Sequence, residues 1–206
     1  MIKMRLKLFV LLLAIPCFLV AQSVKQMEYE LELADNDRDR LVLGYKLAHA
    51  YLEAQNWDEA ISNGNTANKL AIQMGQSGAA SQTAFVVAKA SEGKAKKDRK
   101  SAKKWLRQAQ TWFNTALSYA KKAKDASLVL KVNGELAKQA EKAKDFRKAT
   151  RYYADGYNFL AAQGGKVDQS STQANLKEIM RLQQKVDQLI VEKDSLLNVI
   201  WELENN

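Results

Sequence analysis

Pro16 is the only proline in the chain, so every residue from Cys17 to Asn206 lies in a proline-free run. Proline removes a backbone donor and ends helices, while runs of β-branched residues favour strands. This chain has neither over most of its length, and that predicts helix throughout. The periodicity agrees. In 41–54, "LVLGYKLAHAYLEA", Leu43, Leu47, Tyr51 and Ala54 recur every three or four residues, one face of a helix. "AQNW" breaks the pattern, and a second helix runs through Ala60, Ala67 and Ala71 up to "GQSG" at 75–78. Further helices are expected at about 80–95, 101–123, 126–142 and 146–162. They pair as three hairpins, each a long helix, a short polar turn and a long helix.

The first residues stand apart. Lys3, Arg5 and Lys7 precede thirteen apolar or small residues, Leu8 to Val20, and then Ala21. A basic head, a short apolar run and a small residue predict a secretory signal over 1–21, cleaved after Ala21. Thirteen residues rise about 20 Å as a helix, short of a ~30 Å hydrocarbon core, which argues against the competing reading of an uncleaved anchor. Lipidation at Cys17 is a third reading, and Pro16 before it argues against that one. Cleavage leaves 22–206 with no cysteine and hence no disulfide. It lowers the formal charge from +9 to +6 through the loss of Lys3, Arg5 and Lys7. No second run is long and apolar enough to span a membrane, so the expected product is exported, periplasmic or secreted, and tethered only if the chain is a fragment.

The hairpins repeat one another. In the first helix of each, the small residues Ala48, Ala88 and Ala137 follow Leu47, Val87 and Leu136. In the second helix the small residues are Ala60, Ala109 and Ala149, and seven further on come Ala67, Ala116 and Gly156. "NTA" stands in register at 65–67 and 114–116, and the large Phe113 and Tyr153 sit four after the alanine. Antiparallel helices approach closely only where both carry small side chains, and large neighbours fill the gap to the next hairpin. "NWDEA" (56–60) and "DFRKA" (145–149) are then equivalent corners, where Asn56 or Asp145 caps the second helix and Trp57 or Phe146 covers the turn.

This arrangement over 37–163 resembles the tetratricopeptide repeat. The first repeat offers Leu47, Ala48, Tyr51, Ala60 and Ala67, with Gly64 where the family has an aromatic residue. The second offers Val87, Ala88, Ser91, Ala109, Phe113 and Ala116, and the third Leu136, Ala137, Ala140, Ala149, Tyr153 and Gly156. The family tryptophan is replaced by Gly44, Ala84 and Asn133, and the closing proline is missing throughout. Spacings of forty and forty-nine residues exceed the family's ~34. The resemblance implies a concave groove lined by the first helices. Its contact residues would be Tyr45, His49 and Leu52, then Phe85, Lys89 and Glu92, then Lys131, Lys138 and Glu141. A groove with an aromatic end and a basic end suits an extended peptide with an acidic portion. Ordinary solvated helix faces are the alternative.

Little points to catalysis. His49 is the one histidine, and no glycine-rich phosphate loop or metal-spaced cluster occurs. Asp58 and Glu59 are adjacent and point apart on a helix. Asp35, Asp37 and Asp39 alternate, but lack the glycine and distal glutamate of a calcium loop, and fit a helix start near the positive dipole end. The expectation is a non-enzyme with no cofactor and no metal. "KAKKDRKSAKK" (94–104) has seven basic residues and one acid at the second hairpin's turn. Without interleaved stacking aromatics it does not read as a nucleic-acid site. It fits an acidic lipid or protein surface, or a solvated loop that lengthens its helices.

After residue 163 the pattern changes. "GGKVDQSSTQ" over 164–173 reads as a linker. In 174–206, Ile179, Leu182, Val186, Leu189, Lys193, Leu196, Ile200 and Leu203 step alternately by three and four. Such a seam predicts a parallel two-stranded coil with Lys193 setting register, hence a homodimer through 174–206. Ile190, Leu197 and Trp201 widen the stripe, which fits instead a helix capping the last hairpin. A leader, a repeat array and a coil resemble the extracytoplasmic sensor end of bacterial signalling proteins. Two functions remain open: an exported scaffold that binds a protein or peptide, and a structural input module whose coil transmits conformation without a ligand.

Overall fold

The computed structural model describes residues 23–163 and, towards the C-terminus, residues 177, 180–182, 184–193, 195 and 196. The expected leader (1–21), the linker (164–173) and the seam positions Ile179, Ile200 and Leu203 lie outside the described residues. Among the described residues the fold is all-α, with eight helices and no strand, and the helices pack in consecutive pairs. They are α1 (23–33), α2 (Asp37–Glu53), α3 (Trp57–Gln73), α4 (Ser77–Lys97), α5 (Ala102–Lys122), α6 (Ala126–Lys142), α7 (Phe146–Ala162) and α8, helical at 177, 180–182, 184–193, 195 and 196.

Two compact units divide the chain, Met1–Tyr119 and Ala120–Asn206. In the first unit α2 packs on α3, α3 on α4, and α2 touches α4. The alanines expected at the helix contacts are there. Ala48, Ala60, Ala67, Ala88, Ala109 and Ala116 are fully buried. Gly64 has a steric reason to replace the aromatic residue. A Cβ at that position would come within 2.5 Å of the Val87 Cγ2 on α4. Phe113 is fully buried and meets the edge of Phe85 within its own hairpin, ring centroids 5.7 Å apart.

In the second unit α6 packs on α7 through Ala137 and Ala149, both fully buried. Gly156 is again close-fitted, since a Cβ there would lie 3.2 Å from the Asn133 Cβ. Tyr153 turns its hydroxyl to Glu141 of the same hairpin, donating to Oε1 at 3.1 Å.

Four of the links between helices are one device. Gln55, Gly75, Lys124 and Lys144 each adopt positive φ, between 55° and 68°. Each follows the last helical turn, whose carbonyls accept from this residue and the next. Asn56, Gln76, Asp125 and Asp145 donate to Tyr51, Ala71, Ala120 and Ala140 at 2.8–3.0 Å. That is the left-handed helix closure usually given to glycine, and here three of four are side-chain-bearing residues. Capping at the following helix is less uniform than expected. Asp125 and Asp145 accept from the amides of Leu128 and Lys148 (2.9 and 3.1 Å), but Asn56 makes no capping hydrogen bond. Asn36 caps α2 by accepting from Asp39. The acidic Asp37 and Asp39 occupy that helix's first turn, as the dipole argument expects.

One element comes before the first expected hairpin. Helix α1 lays Val24, Met27 and Leu31 on the core formed by Leu47, Tyr51, Ala60, Ile61, Val87 and Ala90. The Tyr51 hydroxyl donates to Glu28 of α1. Burial, and then this carboxylate, push the Tyr51 phenol up to about 12.

Candidate partner-binding faces

In α2 the sequence places Leu41, Gly44, Leu47, Ala48 and Tyr51 inward, so Tyr45 and His49 fall on another face. Tyr45 is half-buried against the cluster of Leu41, Ala67, Ala71 and Ala80. Its ring meets His49 edge-on, centroids 6.2 Å apart at 60°. The His49 Nδ1 lies 3.4 Å from a Glu53 carboxylate oxygen. Tyr45, Lys46, His49, Ala50 and Glu53 line an open depression of about 400 Å³. Two of the three residues expected from α2 are therefore brought together with room beside them. Leu52 is not. It packs against the core that α1 covers.

On α4, Phe85 turns partly inward onto Phe113, while Lys89 pairs with Glu92 at 3.0 Å. In the second unit Lys131 and Lys138 are exposed, the latter 3.1 Å from Glu135. Glu141 has structural work instead. It accepts from Tyr153 and, at 3.2 Å, from Arg181 of α8. Leu52, Phe85 and Glu141 thus make packing or pinning contacts, because α1, Phe113 and α8 reach faces that a hairpin pattern alone leaves open.

Helix α8 docks on the α6/α7 pair by its early part. Leu182 is fully buried among Ala137, Ala140, Ala149 and Tyr153. The Lys185 ammonium stands 4.6 Å from the Phe146 ring centre. Of the remaining described seam positions, Val186 is half-buried and Lys193 exposed, while Leu189 and Leu196 are 43% and 64% exposed. A capping contact accounts for Leu182 and leaves Leu189 partly and Leu196 largely exposed.

A third face surrounds the α4–α5 corner. Trp57, expected to cover its own turn, lies across Gly93 of α4, where a Cβ would stand 2.6 Å from the ring. Lys94 ion-pairs with Asp58 and sits 4.2 Å over the Trp105 ring. Gln55, Asn56, Trp57, Glu59, Lys97 and Asp98 join Asp58 and Lys94 in lining a cavity of about 400 Å³ here. Ser101, by its hydroxyl and its amide, holds the Asp98 carboxyl below the usual carboxylate range. The Trp57–Gly93 contact escaped sequence reasoning. Its one signal was a glycine inside an otherwise regular helix.

Among the described residues no group of three or more His, Cys, Asp or Glu could hold a metal ion, and no helix is long and apolar enough to cross a membrane. No family model matches the chain, and no curated protein matches it.

Proposed function

We propose that the chain is an exported tetratricopeptide-like scaffold that holds an extended segment of a protein partner against α2 in its first unit. The observation that carries this reading is the Tyr45–His49 ring pair beside an open depression of about 400 Å³. An aromatic surface of low side-chain entropy flanked by Lys46 and Glu53 supplies apolar contact and a choice of charge partners. The small-residue register and the packed hairpins support the family likeness. The basic head and apolar run before Ala21 support export.

A displayed random-peptide library tests the binding reading. Selection on the intact protein should enrich peptides whose affinity falls at least about tenfold, ~1.4 kcal/mol, on Tyr45→Ala or His49→Ala, with unchanged helical circular dichroism. Peptides that ignore both substitutions, or no enrichment at all, overturn it. A mature N-terminus at Gln22 in the exported protein checks the compartment.

A second reading rests on a different observation, the exposure of Leu189 and Leu196 on a helix already anchored by Leu182. Under it the chain is a dimeric input module of a signalling system, paired through α8. Light scattering at tens of micromolar decides. A dimer that becomes a monomer on Leu189→Glu supports this reading, and a monomeric native protein removes it.

A further inference from the structure

The chain's charge is concentrated at one corner. Between Lys94 and Arg107 stand eight basic residues and one acid, a net +7 of the chain's +9. The acid of this stretch, Asp98, is occupied at 3.2 Å by the Ser101 amide, and Asp58 and Glu59 of α3 face the same corner, which leaves it a net +5. Lys94 is occupied by Asp58 and Trp105. The seven other cations, from Lys96 to Arg107, are exposed.

The fold presents this charge outward. Helices α4 and α5 are 21 residues long, whereas α2, α3, α6 and α7 are 17. Gly93 stands level with Trp57 at the start of α3, so Lys94–Lys97 forms one further turn, about 6 Å past that contact. Crowding like charges on a projecting corner is unfavourable unless an anionic surface meets it. Leu106, 48% exposed between Lys104 and Arg107, adds an apolar side chain among the cations.

The chemistry narrows the surface. Six of the eight cations are lysines, compact point charges without the planar fork that arginine brings to fixed carboxylates. Mobile phosphates in a lipid headgroup layer accept such charges wherever they fall, and each adds about a fivefold gain in binding. A single apolar residue beside them enters the interface.

We propose that the α4–α5 corner is a docking surface for a bilayer of anionic phospholipid, with the lysines on headgroup phosphates and Leu106 in the interfacial layer. The inference is independent of the peptide reading of α2.

Co-sedimentation of the intact protein with vesicles tests it. Binding to phosphatidylcholine containing phosphatidylglycerol, absent with phosphatidylcholine alone and falling steeply with salt, is expected. The triple variant Lys96→Gln, Lys100→Gln, Lys103→Gln should bind on the order of a hundredfold more weakly. Lys69→Gln, Lys121→Gln, Lys122→Gln removes equal charge at the far ends of α3 and α5 and should change binding by less than about threefold. Leu106→Ser should weaken binding several-fold and keep the salt dependence. All these side chains are exposed, and thermal melts verify folding. Equal binding to uncharged vesicles, equal loss in both triple variants, or capture by soluble polyphosphate without capture by vesicles overturns the proposal.

Discussion

The α2/α3 and α6/α7 hairpins are built alike and closed differently. Both turn through a side-chain-bearing left-handed residue, Gln55 or Lys144, and both bury paired alanines, Ala48 with Ala60 and Ala137 with Ala149. The first is covered by α1 along Val24, Met27 and Leu31. Among the described residues of α8, the second takes Leu182 into its core, pinned by Arg181 on Glu141, and leaves Leu189 and Leu196 exposed. Their polar cores differ too. Buried Asn68 on α3 donates to the Ala80 carbonyl and Thr83 hydroxyl on α4, at 2.7 and 2.9 Å. Buried Asn133 on α6 has neither side-chain atom hydrogen-bonded. Equivalent hairpins therefore do not imply equivalent surfaces. A repeat unit specifies its own helix contact, and the element that happens to cover it decides what is left over.

The sharpest way to break this contrast is at Leu182, the fully buried position among the described residues of α8. Leu182→Ala should cost about 2–3 kcal/mol, seen as an earlier denaturation midpoint, while Leu196→Ala costs under ~0.5 kcal/mol. Equal effects would mean that α8 is held along its whole length. The glycines come next. Gly64→Ala forces a methyl against Val87 and should cost about 1–3 kcal/mol, whereas Gly134→Ala, with nothing within 4 Å, should gain about 0.5–1 kcal/mol in thermal melts.

The buried amides should separate by sign. Asn68→Ala loses both hydrogen bonds and should cost about 1–2 kcal/mol. Asn133→Leu removes an unsatisfied group and should be neutral or stabilising by up to about 1 kcal/mol in urea denaturation. A cost at both positions would show that Asn133 is satisfied after all. The smallest effect is a pH dependence. The Tyr51 phenol is raised from 10.0 to about 12 in the fold. Its contribution is therefore complete below pH 10 and is lost as pH climbs from 10 to 12, where the unfolded chain releases the proton first. Tyr51→Phe should show a shallower loss of stability across that window than the native protein, by urea midpoints at successive pH values.

The helices and their ends were legible because their causes are local. A proline-free chain, alanines at three- and four-residue spacing, and Asp145 at the start of a helix each act within a turn or two, although Asn56, expected to cap in the same way, makes no capping bond. Helix α1 carried the same spacing in Val24, Met27 and Leu31, but in too short a run to stand out from the leader before it. Of the candidate contact residues, Tyr45 and His49 were implied by the tetratricopeptide resemblance, and the structure has them one turn apart in edge-on contact. Leu52, Phe85 and Glu141 were not, since each is claimed by a partner remote in the chain or across the hairpin. Arg181 is 40 residues from Glu141. The same holds for Trp57 over Gly93, for Gly64 under Val87, and for Leu182 of α8 among Ala137, Ala149 and Tyr153. Periodicity reveals that an apolar stripe must be buried. What buries it depends on which surfaces meet in space, and only the tertiary structure decided that Leu182 goes inside and Leu196 does not.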